Sequence, residues 1–380
     1  MQYSITRTDY DPGPVNEHSN NERAASLVHD WCDRHWVEQQ LVGSGTLVRG
    51  HVVDVTLSPA FPETDGSFSS SMDIVTIDYS VDAEGVLPRR ALLKVNKPAF
   101  WAGGRSEALF YRFTRSQPSK VATPQCYGIE IVEEAQQCRL LLELMEDEFI
   151  TLDWDQHQRP DVTMVRRLLS VLAELHVAHW GIRELPEYER VPMDRTLIDS
   201  VDQTIGFSAL AERFIGHHVD LLTQRQRMAF RCFGGPYLNR YKDHMDTLPQ
   251  TLIHGDAHFW NCLMPVNADA KPVLVDWEAW SINAATFELV YAGIVKHKPS
   301  FAERHEHELI DHYRACLLAG GVDFPEELFW LDLRHSIIRD LFVVMYMAEL
   351  VEGMQAETWQ ELMLSTFAAM DRHDCWVLMD

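Results

Sequence analysis

Two short apolar runs constrain this chain most, because each one leads into a turn that carries an acidic residue. Leu252-Ile253 opens into His254-Gly255-Asp256-Ala257-His258-Phe259-Trp260-Asn261, and Val273-Leu274-Val275 ends on Asp276-Trp277-Glu278. Apolar runs this short, bounded by polar turns, read as buried strands. Two strand ends would therefore bring Asp256, Asn261 and Asp276 to one place. Transfer of a terminal phosphoryl group asks the protein for positioning and charge neutralisation more than for covalent chemistry. One carboxylate must orient, or take the proton of, the attacking hydroxyl, and Asp256 is the candidate. Mg²⁺ needs hard oxygen ligands, and Asn261 with Asp276 offers an amide and a carboxylate that phosphate oxygens can complete. The order His-x-Asp, four residues, Asn, then a strand-borne Asp is the order of a kinase catalytic loop and its metal-binding Asp.

These residues resemble the aminoglycoside phosphotransferase and choline kinase-like group, and within it the ecdysteroid-kinase-like branch. Leu172-Ala173-Glu174-Leu175-His176, ending near Trp180, is similar to the Leu-His-Ala helix that precedes the catalytic loop there. The resemblance spans roughly residues 38 to 295. It implies an α+β, bilobal protein-kinase-like fold with a β-rich N-lobe and a mainly helical C-lobe. It also implies an ATP- and Mg²⁺-dependent small-molecule kinase with a hydroxyl acceptor. Two departures stand out. Trp260 replaces a small or polar residue, and Phe287-Glu288-Leu289 stands where these families continue with Asp-Leu-Ala, so Glu288 is the candidate substitute for loop support.

A nucleotide-binding lobe should lie upstream. Arg90-Ala91-Leu92-Leu93-Lys94-Val95-Asn96 reads as a strand with an embedded lysine, and burying that lysine is costly unless it is paired. Glu107, on a segment with helical spacing, is its expected partner; the plainer reading is a strand-edge lysine and a solvated glutamate. By resemblance, Lys94 contacts the α- and β-phosphates and Glu107 holds it. Leu41-Val42-Gly43-Ser44-Gly45-Thr46-Leu47 suggests a hairpin whose Ser44-Gly45 turn brings backbone N–H groups to phosphates, or a plain hairpin turn. Cys138 to Asp147 resembles the strand and hinge between lobes, with backbone groups from Glu143 to Met145 reading the adenine edge. Pro59 to Met72, rich in Ser, Pro and Gly, reads as a loop insertion: either a cover for the nucleotide or, the safer reading, a disordered hairpin tip.

At 380 residues the chain is long for one core, which suggests an N-lobe over 1–147, beginning with a loosely ordered arm over 1–20, and a C-lobe over 148–380. Helical spacing is expected over 22–36, 162–175, 198–233, 303–318, 325–352 and 356–372, and strands over about 38–58 and 73–80. A net charge of −24 argues against nucleic acid or an anionic membrane as partner. It fits a cationic acceptor and fits a merely solvating surface equally well. Seven scattered cysteines without a Cys-x-x-Cys pair fit a reducing cytoplasm, and no segment has the apolar length of a membrane span. Eleven tryptophans, among them Trp260, Trp277 and Trp280, could cradle an ammonium ligand, but most tryptophans are packing residues.

Two rival functions remain at this stage. His254, Asp256 and His258 alternate, so on an extended strand they share a face. With Asp276 they could hold a zinc ion for a metal-dependent hydrolase. That reading leaves Asn261, Lys94 and Glu107 unexplained. The other rival is a nucleotide-binding, non-catalytic kinase-like protein, although the lysine, the base and the metal residues are all present. Glu278 is equally a second metal ligand or an ordinary first-turn residue.

Overall fold

Alternating apolar residues fold the first half of the chain around a five-stranded antiparallel sheet. The computed structural model describes residues 31–60, 69–116, 122–146, 148–150, 152, 158–182, 194–351 and 353–379. The arm expected over 1–20 and most of the helix expected over 22–36 lie outside the described residues. Helix α1 (Arg34–Gly43) starts at Asp33, whose carboxylate accepts the Trp36 N–H at 2.9 Å. Strands β1 (Leu47–Arg49), β2 (Val52–Pro59), β3 (Ser70–Tyr79), β4 (Glu84–Gly85) and β5 (Arg90–Asn96) follow, then helix α2 (Trp101–Ser116) and strands β6 (Cys126–Val132) and β7 (Gln137–Glu143). The sheet order is β2-β3-β5-β7-β6, and β1 pairs with β4 apart from it.

The strand period of two decides where Lys94 points. Ala91, Leu93 and Val95 of β5 bury themselves with Val75, Ile77 and Leu141 under Trp36, Val37 and Leu41 of α1. Lys94 lies between them in sequence and so faces the opposite side, where α2 packs. Its register is set by Met72 on β3 and Leu140 on β7. A slip of one residue would drive the ammonium into the α1 core.

The second half is helical: α3 (Val162–Ala178), α4 (Asp194–Thr204), α5 (Phe207–His217), α6 (Gln224–Cys232), α7 (Leu238–Thr247), α8 (Ala285–Val290), α9 (Pro299–Ala319), α10 (Glu326–Leu350) and α11 (Ala356–Arg372). Between α7 and α8 lie four short strands, β8 (Thr251–Ile253), β9 (Cys262–Leu263), β10 (Val273–Leu274) and β11 (Ser281–Asn283), paired β8–β11 and β9–β10. α8 continues into a π-helical turn over Tyr291–Val295. On α3 the stripe Val165, Leu168, Leu169, Leu172, Leu175 and His176 is buried, as its spacing predicts, and Asp161 caps its first turn. A β-sheet N-terminal part joined to a mainly helical C-terminal part is the protein-kinase-like arrangement.

The sequence expectations need correcting at two places. Ser44-Gly45 is not a hairpin turn, because Leu41–Gly43 is the end of α1. The Thr46 N–H returns to Leu41 O at 2.9 Å and the Gly45 N–H to Val42 O at 3.0 Å, with Gly45 at φ +73°. That is the Schellman ending of a helix, in which glycine stops the helix and satisfies its last carbonyls. The strand pattern expected from about 38 begins only at Leu47, because residues 38–43 belong to α1, whereas the helical patterns over 198–233 are α4, α5 and α6. Among the described residues, no helix is long and apolar enough to cross a membrane.

Candidate active site

α2 is clamped to the loop after β10, and the clamp brings two carboxylates to Lys94. Phe110 of α2 stacks on Trp277 with ring centroids 3.8 Å apart, and the Trp280 indole N–H donates to Ser106 O at 2.8 Å. Trp277 and Trp280 are therefore core side chains and not the walls of an ammonium site. Lys94 Nζ lies 2.6 Å from Glu107 Oε2, 2.8 Å from Asp276 Oδ1 and 3.8 Å from Glu278 Oε1. Burial alone would lower the pKa of Lys94, but Glu107, Asp276 and Glu278 outweigh it and lift the ammonium above the usual lysine range. Burial pushes Glu107 up against the pull of Lys94. Burial, then Asp276, pushes Glu278 up to about 7 against Lys94 and Ser69.

Glu107, Asp276 and Glu278 are the one group of three His, Cys, Asp or Glu ligand atoms that converge within 4.8 Å among the described residues. They are all oxygen donors, the donor set that Mg²⁺ takes. Glu107 is buried against Lys94 and the Trp277 N–H at 3.4 Å, whereas the side chains of Asp276 and Glu278 keep exposed surface and are the available carboxylates. Asp276 itself adopts φ +66°, a left-handed conformation uncommon outside glycine.

Ser69 ends the β2–β3 connection and donates to Glu278 Oε1 at 2.6 Å. Opposite Lys94 on β3 is Met72, so this connection leaves the sheet beside the lysine. Its tip, 61–68, lies outside the described residues. The described end, Ser69, reaches the carboxylate cluster. Ser44, by contrast, bonds Gln40 O and Leu41 O at the end of α1 and makes no hydrogen bond to the cluster. At the end of β7, the Glu143 N–H donates to Gln125 O at 2.7 Å and its carboxylate accepts the Gln125 N–H. Leu144 and Met145, past the strand end, lack that pairing.

The loop after β8 carries Asp256. Tyr291 donates its hydroxyl to Asp256 Oδ1 at 2.7 Å, Asn261 donates its amide to Oδ2 at 3.2 Å, and His258 Nε2 stands 3.5 Å from Oδ2. Burial pushes the Asp256 carboxyl up, but His258, Lys296 and Tyr291 together hold it well below the usual carboxylate range. His254 is fully buried; its Nε2–H donates to Val275 O at 2.9 Å and ties the Asp256 loop to the Asp276 strand. The zinc arrangement of His254, Asp256, His258 and Asp276 is thus overturned. His254 faces a backbone carbonyl, and these four do not form a converging ligand group.

Glu288 explains the missing Asp-Leu-Ala. One carboxylate oxygen accepts the Gly255 N–H at 2.8 Å and the other lies 2.8 Å from His176 Nε2; His176 Nδ1 is 2.6 Å from the Tyr313 hydroxyl. The relay is fully buried, and it holds the loop from α3, α8 and α9 together. Gly255 is required here: at φ +86°, an added Cβ would stand 1.9 Å from Ala279 O. Gly255→Ala is expected to cost at least about 2 kcal/mol. A urea midpoint equal to that of the wild type would contradict this reading of the turn.

The Lys94–Glu107–Asp276 cluster and the Asp256–Asn261 pair stand on segments joined through His254 and Val275. Residues 79–320 match APH, the phosphotransferase enzyme family. The chain belongs to that family. That family is one of phosphotransferase enzymes. Among solved structures, the GDP complex of aminoglycoside 2′-phosphotransferase-IIIa shares 15% identity, with 84% of this chain and 94% of that chain covered, at a TM-score of 0.48. Ethanolamine kinase from Plasmodium vivax shares 11%, with 83% and 81% covered, at 0.43. Aminoglycoside phosphotransferase APH(3″)-Id from Streptomyces rimosus shares 14%, with 75% and 92% covered, at 0.39. No curated protein matches this chain.

Two side chains near Asp256 escaped the sequence reading. Tyr291 lies thirty-five positions downstream, and its hydroxyl had no sequence signal. Lys296 lies beyond it, with Nζ 4.6 Å from the Tyr291 ring centroid. A lysine ending an apolar helix gives no hint that it reaches a carboxylate from another loop.

Proposed function

We propose that this phosphotransferase moves the γ-phosphoryl group of ATP to a hydroxyl of a small molecule, with residues 1–147 and 148–380 as the two lobes that enclose the nucleotide. The observation that carries this reading is a Lys94–Glu107–Asp276 cluster and an Asp256–Asn261 pair on neighbouring segments, joined by His254 on Val275 O and by the Val275 N–H on Asn261 O. Lys94, braced by Glu107, steadies the α- and β-phosphates. Ser69, and not Ser44-Gly45, would then stand beside the phosphates, from its bond to Glu278. Backbone groups at Leu144 and Met145 read the adenine edge. Asp276 and Asn261 would hold Mg²⁺, with Glu278 as a further ligand; the ion would supply neutralisation of phosphate charge.

Asp256 orients the acceptor hydroxyl. Its low pKa makes it a weak base, suited to positioning the hydroxyl and taking its proton late. A cationic acceptor group gains no support beside this carboxylate, because Lys296 and His258 already stand there. The ecdysteroid-kinase-like branch is part of the same proposal, supported by the run from His254 to Asn261 and by Asp276-Trp277-Glu278. So is a cytoplasmic location, which seven free thiols favour.

Thermal unfolding with ATP, in Mg²⁺ and then in EDTA, tests the reading. Nucleotide at a hundred times its dissociation constant stabilises the native state by about 2.7 kcal/mol, which moves the midpoint by a few degrees. A shift that disappears in EDTA is expected. No shift with nucleotide in either condition rejects the proposal.

A further inference from the structure

The acceptor side of Asp256 holds a cation that nothing in the nucleotide cleft accounts for. Lys94 is bracketed by three carboxylates. Lys296 is the reverse: among the described residues no carboxylate lies within ion-pair distance of its Nζ, and its one close partner is the π face of Tyr291. An aromatic face returns only about 0.5–2 kcal/mol to an ammonium drawn away from water, less than such a charge loses. Burial lowers the pKa of Lys296, while Asp256 and Asp340 act to keep it charged.

Backbone geometry aims this cation. The Lys296 N–H bonds Tyr291 O at 3.2 Å, an i→i+5 bond that closes the π-helical turn. Such turns are rare and gather at functional sites. This one puts residues five apart on the same face, so the hydroxyl on Asp256 Oδ1 and the ammonium arrive together. Lys296 lines one cavity with His258, Phe259, Trp260 and Pro160. His258, which lines the same cavity, has its Nδ1 buried without a hydrogen-bond partner. Arg159, the other cation near, is held 2.7 Å from Glu361.

We propose that Lys296 is a further catalytic residue, whose ammonium binds the oxygens of the phosphoryl group while it passes to the acceptor beside Asp256. This rests on the kinase reading above. In that transfer the acceptor oxygen forms its bond to phosphorus as the bond to the ADP oxygen breaks. The electron pair leaves with ADP, and the hydroxyl proton goes to the Asp256 carboxylate. Lys296 forms no covalent bond; it neutralises charge on the oxygens in flight.

The test needs no acceptor. Titration calorimetry measures the affinity for Mg·ADP with and without aluminium fluoride, which mimics the phosphoryl group in transfer. The proteins are the wild type, Lys296→Met, Lys296→Arg and, as a control on an exposed neighbour, Lys298→Met. Fluoride should tighten ADP binding by the wild type and by Lys298→Met. In Lys296→Met that tightening should fall by on the order of 10²-fold, with Mg·ADP affinity alone unchanged, and Lys296→Arg should keep part of it. Unchanged Mg·ADP affinity also shows that the variant is folded. Full tightening in Lys296→Met overturns the proposal and leaves the kinase reading intact, as does a wild type that binds Mg·ADP but gains nothing from fluoride. A wild type that binds no Mg·ADP overturns the kinase reading itself, and Lys296 with it.

Discussion

Asp256→Asn lowers turnover of Mg·ATP with a hydroxylated acceptor by on the order of 10²–10⁴-fold, while the affinity for Mg·ATP stays near that of the wild type. The substitution preserves shape, so the approaches of Tyr291 and Asn261 survive in outline and only the charge and the proton acceptor are lost. Single-turnover rates and equilibrium nucleotide binding, measured on the same preparation, separate the two effects. Loss of nucleotide binding along with turnover would move Asp256 from the acceptor to the nucleotide. Unchanged turnover would remove it from the chemistry.

Lys94→Met is the second large effect, and it is first an effect on stability. It leaves Glu107, Asp276 and Glu278 within 4.8 Å of one another with no cation among them. Removing one side of a buried ion cluster costs roughly 3–5 kcal/mol. The sign of its pH dependence follows from the carboxyls. Glu107 and Glu278 are already raised by burial, and Glu278 stands at about 7 with Lys94 present. A carboxyl raised in the folded state binds its proton more tightly there than in the unfolded chain, so stability falls as pH rises through that interval. The variant should therefore lie far below the wild type in urea midpoint at pH near 7 and recover part of the gap toward pH 5. Millimolar Mg²⁺ should narrow the gap as well, because it supplies the missing positive charge. A gap independent of both pH and Mg²⁺ would mean that Lys94 contributes packing and not charge.

The parts of this site that the sequence made legible are those carried by short-range order. Asp256, Asn261 and Asp276 sit at fixed offsets from two apolar runs, and strand alternation turns Lys94 away from Ala91, Leu93 and Val95. Glu288 was visible only as a departure from a pattern; its two contacts, with Gly255 and His176, join residues 33 and 112 positions apart. Ser44-Gly45 misled because a glycine after a serine marks helix ends and hairpin turns alike, and the choice between them rests on whether the preceding Leu41–Gly43 is coiled or extended. Tyr291 and Lys296 were illegible for a different reason. A helix spacing rule separates residues five apart by about 140°, so it never groups them.

That spacing has a bearing on how such a cleft can change over generations. A turn closed by an i→i+5 bond amounts to one residue added to an ordinary helix, and removing it swings everything beyond by about 100°. A single-codon insertion or deletion between α8 and α9 can therefore install or withdraw Lys296 in one step, with the helical bonding on either side intact and no substitution of the lysine itself. Kin of this chain can carry a lysine at the aligned position and still lack its ammonium beside the base, or carry the ammonium from a column that alignment marks as a gap.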